Sequence, residues 1–123
     1  MTNKNKILGT AQETRIVKRA KDAGLEARKQ PGSGVYKDFP ADLVIGSGLG
    51  EAKTRSSYEV AGRKVVQFEL DWLKQVTQQA DTNGFEWGAV FFHPKGTREQ
   101  YVFLTLDQFL ALVKKSQPEG KIG

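Results

Sequence analysis

The sequence predicts an α/β domain: a central mixed β-sheet flanked by helices, in the order helix, three strands, helix, two strands, helix. Three observations predict it. Apolar residues recur at helical spacing in three separate stretches. Between these stretches lie short runs of alternating or continuous apolar residues bounded by glycine and proline. The 123 residues, 38% hydrophobic and 27% charged, suffice for one compact soluble domain.

Residues 1–9 read as a loose basic arm, 10–115 as the domain and 116–123 as a frayed tail. Thr10 and Glu13 form a capping box for the first helix. Ile16, Val17, Ala20 and Ala23 mark its apolar face, and Arg15, Lys18, Arg19 and Lys21 its basic one. Gly24 ends it. Leu25 to Lys29 alternates as a short strand does, and Gln30 to Gly34 is a loop. Asp42 to Ile45 reads as a buried strand. Gly46 to Gly48 turns the chain into Leu49 to Arg55, the second arm of a hairpin. Ser56 to Arg63 is polar and reads as a mobile connection.

From Phe68 to Thr82 the period is helical, with Leu70, Leu73, Val76 and Ala80 on one face and Asn83-Gly84 as the stop. Trp87 to His93 is a strand, Pro94 to Gly96 a turn, and Gln100 to Thr105 the partner strand. Thr105 and Gln108 form a second capping box. Leu106, Phe109, Leu110 and Val113 give the last helix one apolar face.

Composition excludes several chemistries. The absence of cysteine removes disulfides, thiolate zinc sites and cysteine nucleophiles. A single histidine, His93, offers neither a zinc cluster nor a catalytic triad and reads as structural. Gly32-Ser33-Gly34 is too short to be a Walker loop. No apolar run approaches the roughly 18–20 residues that span a membrane. The first residues also lack the apolar stretch of a signal peptide. A cytoplasmic location is therefore expected. The net charge of +5, from 19 Lys and Arg against 14 Asp and Glu, favours a polyanionic partner.

The acids that matter lie on the first hairpin. Side chains alternate along a strand, so Glu51 and Lys53 point the same way while Ala52 points oppositely. A tight turn at Gly46 to Gly48 brings Asp42 beside Glu51. Two carboxylates and a lysine then converge at a sheet edge. Phosphodiester hydrolysis uses this combination. Magnesium prefers oxygen ligands and takes one or two carboxylates, and the Ala52 carbonyl offers a further oxygen. Such an ion polarises a phosphoryl oxygen and acidifies water. Lys53 orients the water or stabilises developing negative charge.

Pro40-Ala41-Asp42 followed by Glu51-Ala52-Lys53 resembles the signature of the PD-(D/E)XK nuclease superfamily. The order of motifs from Glu13 to His93 resembles that of the archaeal-type Holliday junction resolvases and their phage relatives. The resemblance implies a restriction-endonuclease-like fold and a role in DNA recombination and repair. It implies that Glu13 joins the metal site and that Ser33 and Arg28 meet the DNA backbone. It also implies a symmetric homodimer facing a four-way junction. Three departures stand out. Ala41 separates Pro40 from Asp42, Thr14 rather than an arginine follows Glu13, and the segment after Lys53 matches poorly.

The expectation is thus a magnesium-dependent DNA endonuclease, with manganese as a substitute, nicking four-way junctions symmetrically in a prokaryotic or phage-infected cell. Asp42, Glu51, Glu13 and Ala52 would hold one or two ions, and Lys53 would act beside them. Arg15, Arg28, Lys29 and Ser33 would contact backbone phosphates. Two other functions compete: a superfamily nuclease acting on flaps, nicks or DNA ends, and a basic DNA-binding module without catalysis. Residue by residue, plainer readings also stand. Glu13 serves as a helix cap alone, Asp42 starts a strand, and Glu51 and Lys53 form a solvated face. Ser33 is a turn residue, and Trp72 and Trp87 are core or interface residues rather than base-stacking platforms.

Overall fold

In the computed structural model, which describes residues 4–30 and 41–118, Gly48–Arg55 and Trp87–Pro94 are the two longest strands and lie side by side, parallel. Ten elements run along the described chain: α1 (Lys4–Asp22), β1 (Ala27–Lys29), β2 (Leu43–Ile45), β3 (Gly48–Arg55), β4 (Tyr58–Val60), β5 (Arg63–Val65), α2 (Leu70–Thr82), β6 (Trp87–Pro94), β7 (Tyr101–Phe103) and α3 (Leu106–Ser116). Five strands form a mixed sheet in the order β1-β2-β3-β6-β7, in which only β3 and β6 are parallel. The expected α/β class with a mixed sheet and three helices is what the described residues form. No helix among them is long and apolar enough to cross a membrane.

Strand alternation sorts the core into two layers. On one face Val44, Leu49, Val90 and Phe92 pack under Trp72, Val76 and Ala80 of α2. On the other, Leu43, Ala89 and Phe91 pack under Ile16 of α1. Glycine lets the layers approach. A Cβ on Gly88 would collide with the Val76 carbonyl of α2, and one on Gly50 would press on Phe91 and on Leu43. Gly46, at φ 54°, makes the two-residue turn of the β2–β3 hairpin, in which Ile45 faces Gly48.

Several boundaries differ from expectation. α1 begins at Lys4, so the arm expected over 1–9 is helical from that residue on, and Thr10 lies inside the helix rather than at its cap. Glu13 therefore caps nothing. The polar stretch after Ser56 forms the β4–β5 hairpin, a separate two-stranded sheet turned at Ala61-Gly62. Polar sequence hides such a strand pair, because neither face needs apolar side chains when both are exposed. Leu70, expected on the buried face of α2, is exposed, and Trp72 takes its place in the core. Gly24 and Gly84 end α1 and α2 with positive φ, as their positions suggested. The final helix reaches Ser116, and residues 119–123 of the expected tail lie outside the described residues.

Because the Val76 carbonyl belongs to helical backbone, it cannot swing aside for a new methyl group. Gly88→Ala should destabilise the protein by about 1–3 kcal/mol in urea denaturation. A variant as stable as the parent would mean that α2 does not bear on β6 at this point.

Candidate active site

β3 outruns β2, and this difference creates the site. The antiparallel register ends at the pair Leu43–Gly50, while β3 continues to Arg55 beside β6. Asp42 stands at that fork. Its N–H donates to the Gly50 carbonyl at 2.9 Å, and its own carbonyl accepts from Gln30 N–H at 2.9 Å. Its carboxylate Oδ2 accepts from the Ala52 N–H at 2.8 Å, taking the bond that a longer β2 would have supplied. The side chain is thereby fixed between the two faces of the sheet.

From the α2 side of β3 come Glu51 and Lys53, two residues apart on one face. Lys53 Nζ lies 3.4 Å from Glu51 Oε1, with both side chains mostly buried. The ammonium also sits over Trp72, 5.3 Å from the ring centroid, and Arg55, next on the same face, places its guanidinium 4.6 Å from that ring. Trp72 is held from below by Phe92 and Phe68. From the α1 side comes Glu13, whose carboxyl hydrogen-bonds Asp42 and feels the charge of Lys29. Lys29 itself donates to Thr14 Oγ1 at 3.2 Å.

These acids resist ionisation. Burial raises Glu13 from its ordinary 4.5 to about 7, with the neighbouring Asp42 charge and hydrogen bond adding to the effect and Lys29 opposing it. Burial likewise raises Asp42, against the Ala52 N–H and Lys53, which favour its charged form. Glu51 is raised by burial and by Asp42, against Lys53. The shared hydrogen bond raises Glu13 and lowers Asp42. Among the described residues no group of three or more His, Cys, Asp or Glu side chains is arranged to hold a metal ion. The carboxylates engage one another, the Ala52 N–H and Lys53 instead.

The other expected contacts scatter. Arg15 is exposed two positions beyond Glu13, a spacing that does not share a helix face. Arg28 pairs in register with Val44, so it faces the α2 side, and it donates to Gln30 at 2.6 Å. Ser33 and Pro40 lie outside the described residues. His93 is structural, its Nε2 bonded to the Thr97 carbonyl at 2.7 Å in the turn after β6. Trp72 is core, and Trp87 is partly buried.

Two residues escaped the sequence reading. Arg55 continues the Glu51–Lys53 spacing, and that alternation was a signal for it. Gln12 is fully buried at 0% exposure. Its Nε2 donates to the carbonyls of Lys53 and Phe91 and to Gln100 Oε1, at 3.1–3.2 Å, and its Oε1 accepts from Thr54 Oγ1 at 2.8 Å. It ties α1, and so the neighbouring Glu13, to the backbone of Lys53. A polar residue at helical spacing gave no sign of this role.

No protein-family model matches this chain, and no curated protein matches it.

A carboxyl whose folded pKa exceeds its unfolded value binds protons more tightly in the native state. Stability conferred by that proton is lost as pH rises through the window from 4.5 to about 7 set by Glu13. Urea unfolding without divalent cations should therefore show stability declining from about pH 5 to about pH 7.5, and Glu13→Gln should flatten the decline. An unaltered slope in that variant would exonerate Glu13. Separately, Gln12→Ala should cost about 1–3 kcal/mol in thermal or urea unfolding, by stranding buried polar groups. A neutral result there would mean that water replaces the amide.

Proposed function

We propose that the chain is a magnesium-dependent DNA endonuclease of the PD-(D/E)XK type, built on a restriction-endonuclease-like sheet and acting as a dimer on four-way junctions. One observation carries this reading: Asp42, Glu51 and Lys53 converge at the β2–β3 fork, and burial leaves the carboxylates short of positive charge. A hard cation relieves that deficit and needs only one or two carboxylates, the remainder of its shell being water. Asp42 and Glu51 would hold it. The Ala52 carbonyl would assist, since strand geometry turns it to the same edge as the N–H that Asp42 accepts from. When bound, the ion supplies Lewis-acid activation of the phosphoryl group and of water.

The chain's own residues do the rest. Lys53, fixed by Glu51 and by the face of Trp72, presents a localised positive charge where the phosphoryl group gains negative charge. Glu13, whose carboxyl hydrogen-bonds Asp42, would offer a further oxygen on the α1 side. Lys29 and Arg55 flank the acids on opposite sides of the fork and suit the phosphates on either side of the cut. Arg15 and the exposed basic side of α1 extend this track, and Ser33 and Arg28 keep the backbone roles that the resemblance assigns them. Junction resolution requires two cuts and hence two such centres, which a dimer supplies.

The test is cleavage of a labelled four-way junction with magnesium or manganese, beside matched linear duplex, flap and nicked substrates. The wild type should nick the junction symmetrically, Glu51→Ala should be inactive, and Lys53→Ala should lose about 10²–10³-fold in single-turnover rate. Cutting without junction preference would leave a nuclease of flaps, nicks or ends. Binding without cutting under all these conditions would leave a basic DNA-binding module.

A further inference from the structure

Residues 55–64 are all exposed, yet they form ordered structure. β3 ends at Arg55, and two serines later β4 and β5 pair as a sheet of their own. Ala61 and Gly62, at φ 51° and 76°, close this ribbon in a two-residue turn with no side chain larger than a methyl group. Both feet of the ribbon stand on Trp72. Arg55, just before it, lies 4.6 Å from the ring centroid, and Phe68, just after it, packs edge-on to the same ring at 5.4 Å. Lys53 shares that ring. The ribbon therefore rises from the wall of the candidate active site.

Cross-strand register sorts its side chains. Tyr58 is opposite Val65 and Val60 is opposite Arg63, so these four share one side, while Glu59 and Lys64 share the other. Tyr58 is 50% exposed and Val60 48%. No core demands apolar residues there. At the margin of the main sheet, by contrast, Gln108 of α3 clasps the Gly88 backbone, its Oε1 accepting from the N–H at 2.6 Å and its Nε2 donating to the carbonyl at 2.9 Å. Among the described residues the ribbon has no such cover.

We propose that the β4–β5 ribbon lies in the major groove of the DNA beside the cut, its Tyr58–Val60 side against the base edges and Arg63 on a guanine, giving the enzyme a base preference there. The proposal rests on the reading that the chain acts on DNA. Charge supports the occupant. From Arg55 to Val65 there are three cations, Arg55, Arg63 and Lys64, against one acid, Glu59, and Glu59 is opposite Lys64 on the reverse side. Arg63 is opposite Val60 instead, so its guanidinium belongs to the apolar side. An apolar protein surface laid on that side would bury the charge without a partner. A major groove offers both chemistries at once: thymine methyls for Tyr58 and Val60, and the guanine N7 and O6 acceptors for Arg63. Size selects the groove. Two strands about 4.8 Å apart, carrying side chains, are too broad for a minor groove about 6 Å wide and fit a major groove about 12 Å wide. Three paired residues per strand cover about 10 Å, or roughly three base-pair steps. Arg55, at the foot, is left for the phosphates.

The experiment is binding of the full chain to a labelled four-way junction by fluorescence anisotropy, without divalent cations so that nothing is cut, at several salt concentrations. Replacing guanine by 7-deazaguanine, which lacks N7, should weaken wild-type binding about tenfold. This arm needs no variant and so survives any misfolding. Arg63→Ala should bind ordinary DNA about tenfold more weakly and no longer distinguish the two DNAs. Tyr58→Ser with Val60→Ser should weaken binding about tenfold with the salt dependence unchanged, because an apolar contact releases no counterions. Far-UV circular dichroism of both variants should match the parent. Wild-type protein that binds no DNA or ignores 7-deazaguanine would overturn the proposal. So would an Arg63→Ala variant that still senses 7-deazaguanine, or a serine pair that binds as the parent does. Ribbon-dependent binding by a protein that cuts nothing with magnesium or manganese supports the ribbon and counts against the nuclease. Cutting that is indifferent to the ribbon variants and to 7-deazaguanine does the opposite.

Discussion

Parallel pairing of β3 with β6 over their whole lengths is the constraint from which the rest of this molecule follows. Parallel neighbours cannot be joined by a tight turn, so the chain between them must cross a face of the sheet, and α2 does so. That crossing buries Leu49, Val90 and Phe92 under Val76 and Trp72, and α1 closes the other face over Leu43 and Phe91. A strand covered on both sides is rigid enough to hold ionisable groups at fixed separations. Among the described residues its other neighbour, β2, is short, and Asp42, Glu51 and Lys53 meet where β3 runs on past it.

The electrostatics follow from the same geometry. Glu51 and Lys53 share a face two residues apart, so their pairing is imposed by the pleat. Asp42 reaches the edge from the adjoining chain and takes the Ala52 N–H. Glu13 arrives from the helix above. Three carboxyls gathered in partial burial with one close lysine are all held above their ordinary pKa, chiefly by desolvation. The tryptophan beneath adds shape: it is packed by phenylalanines on one side and carries two cations on the other.

Much of this was legible in the residues, for identifiable reasons. Buried strands and amphipathic helices announce themselves by period, so β2, β3, β6 and α2 emerged close to their true positions. The hairpin acids emerged because pleat and turn leave them little freedom. What was not legible depended on contacts distant in sequence. The start of α1 was hidden because a Thr and a Glu three apart look like a cap wherever they occur. The β4–β5 hairpin was hidden because an exposed ribbon needs no apolar pattern. Gln12 was invisible, since its partners Lys53, Phe91 and Gln100 come together only in the folded chain. The apolar stripe of α3 is legible in the sequence but its outward direction is not, because period tells which residues share a face and not which way the face looks.

The clasp between Gln108 and Gly88 has one more consequence. β7 pairs with β6 only from Val90 to Phe92, so the backbone of Gly88 would otherwise present an unpaired N–H and C=O along the margin of the sheet. A primary amide can turn one of its two N–H groups and its carbonyl oxygen to the same side, at nearly the spacing of a peptide group, and Gln108 fills both places. One side chain thus stands in for a missing length of strand. It denies foreign chains the template along which sheets grow from molecule to molecule, and so guards an apolar protein margin against fibrous association.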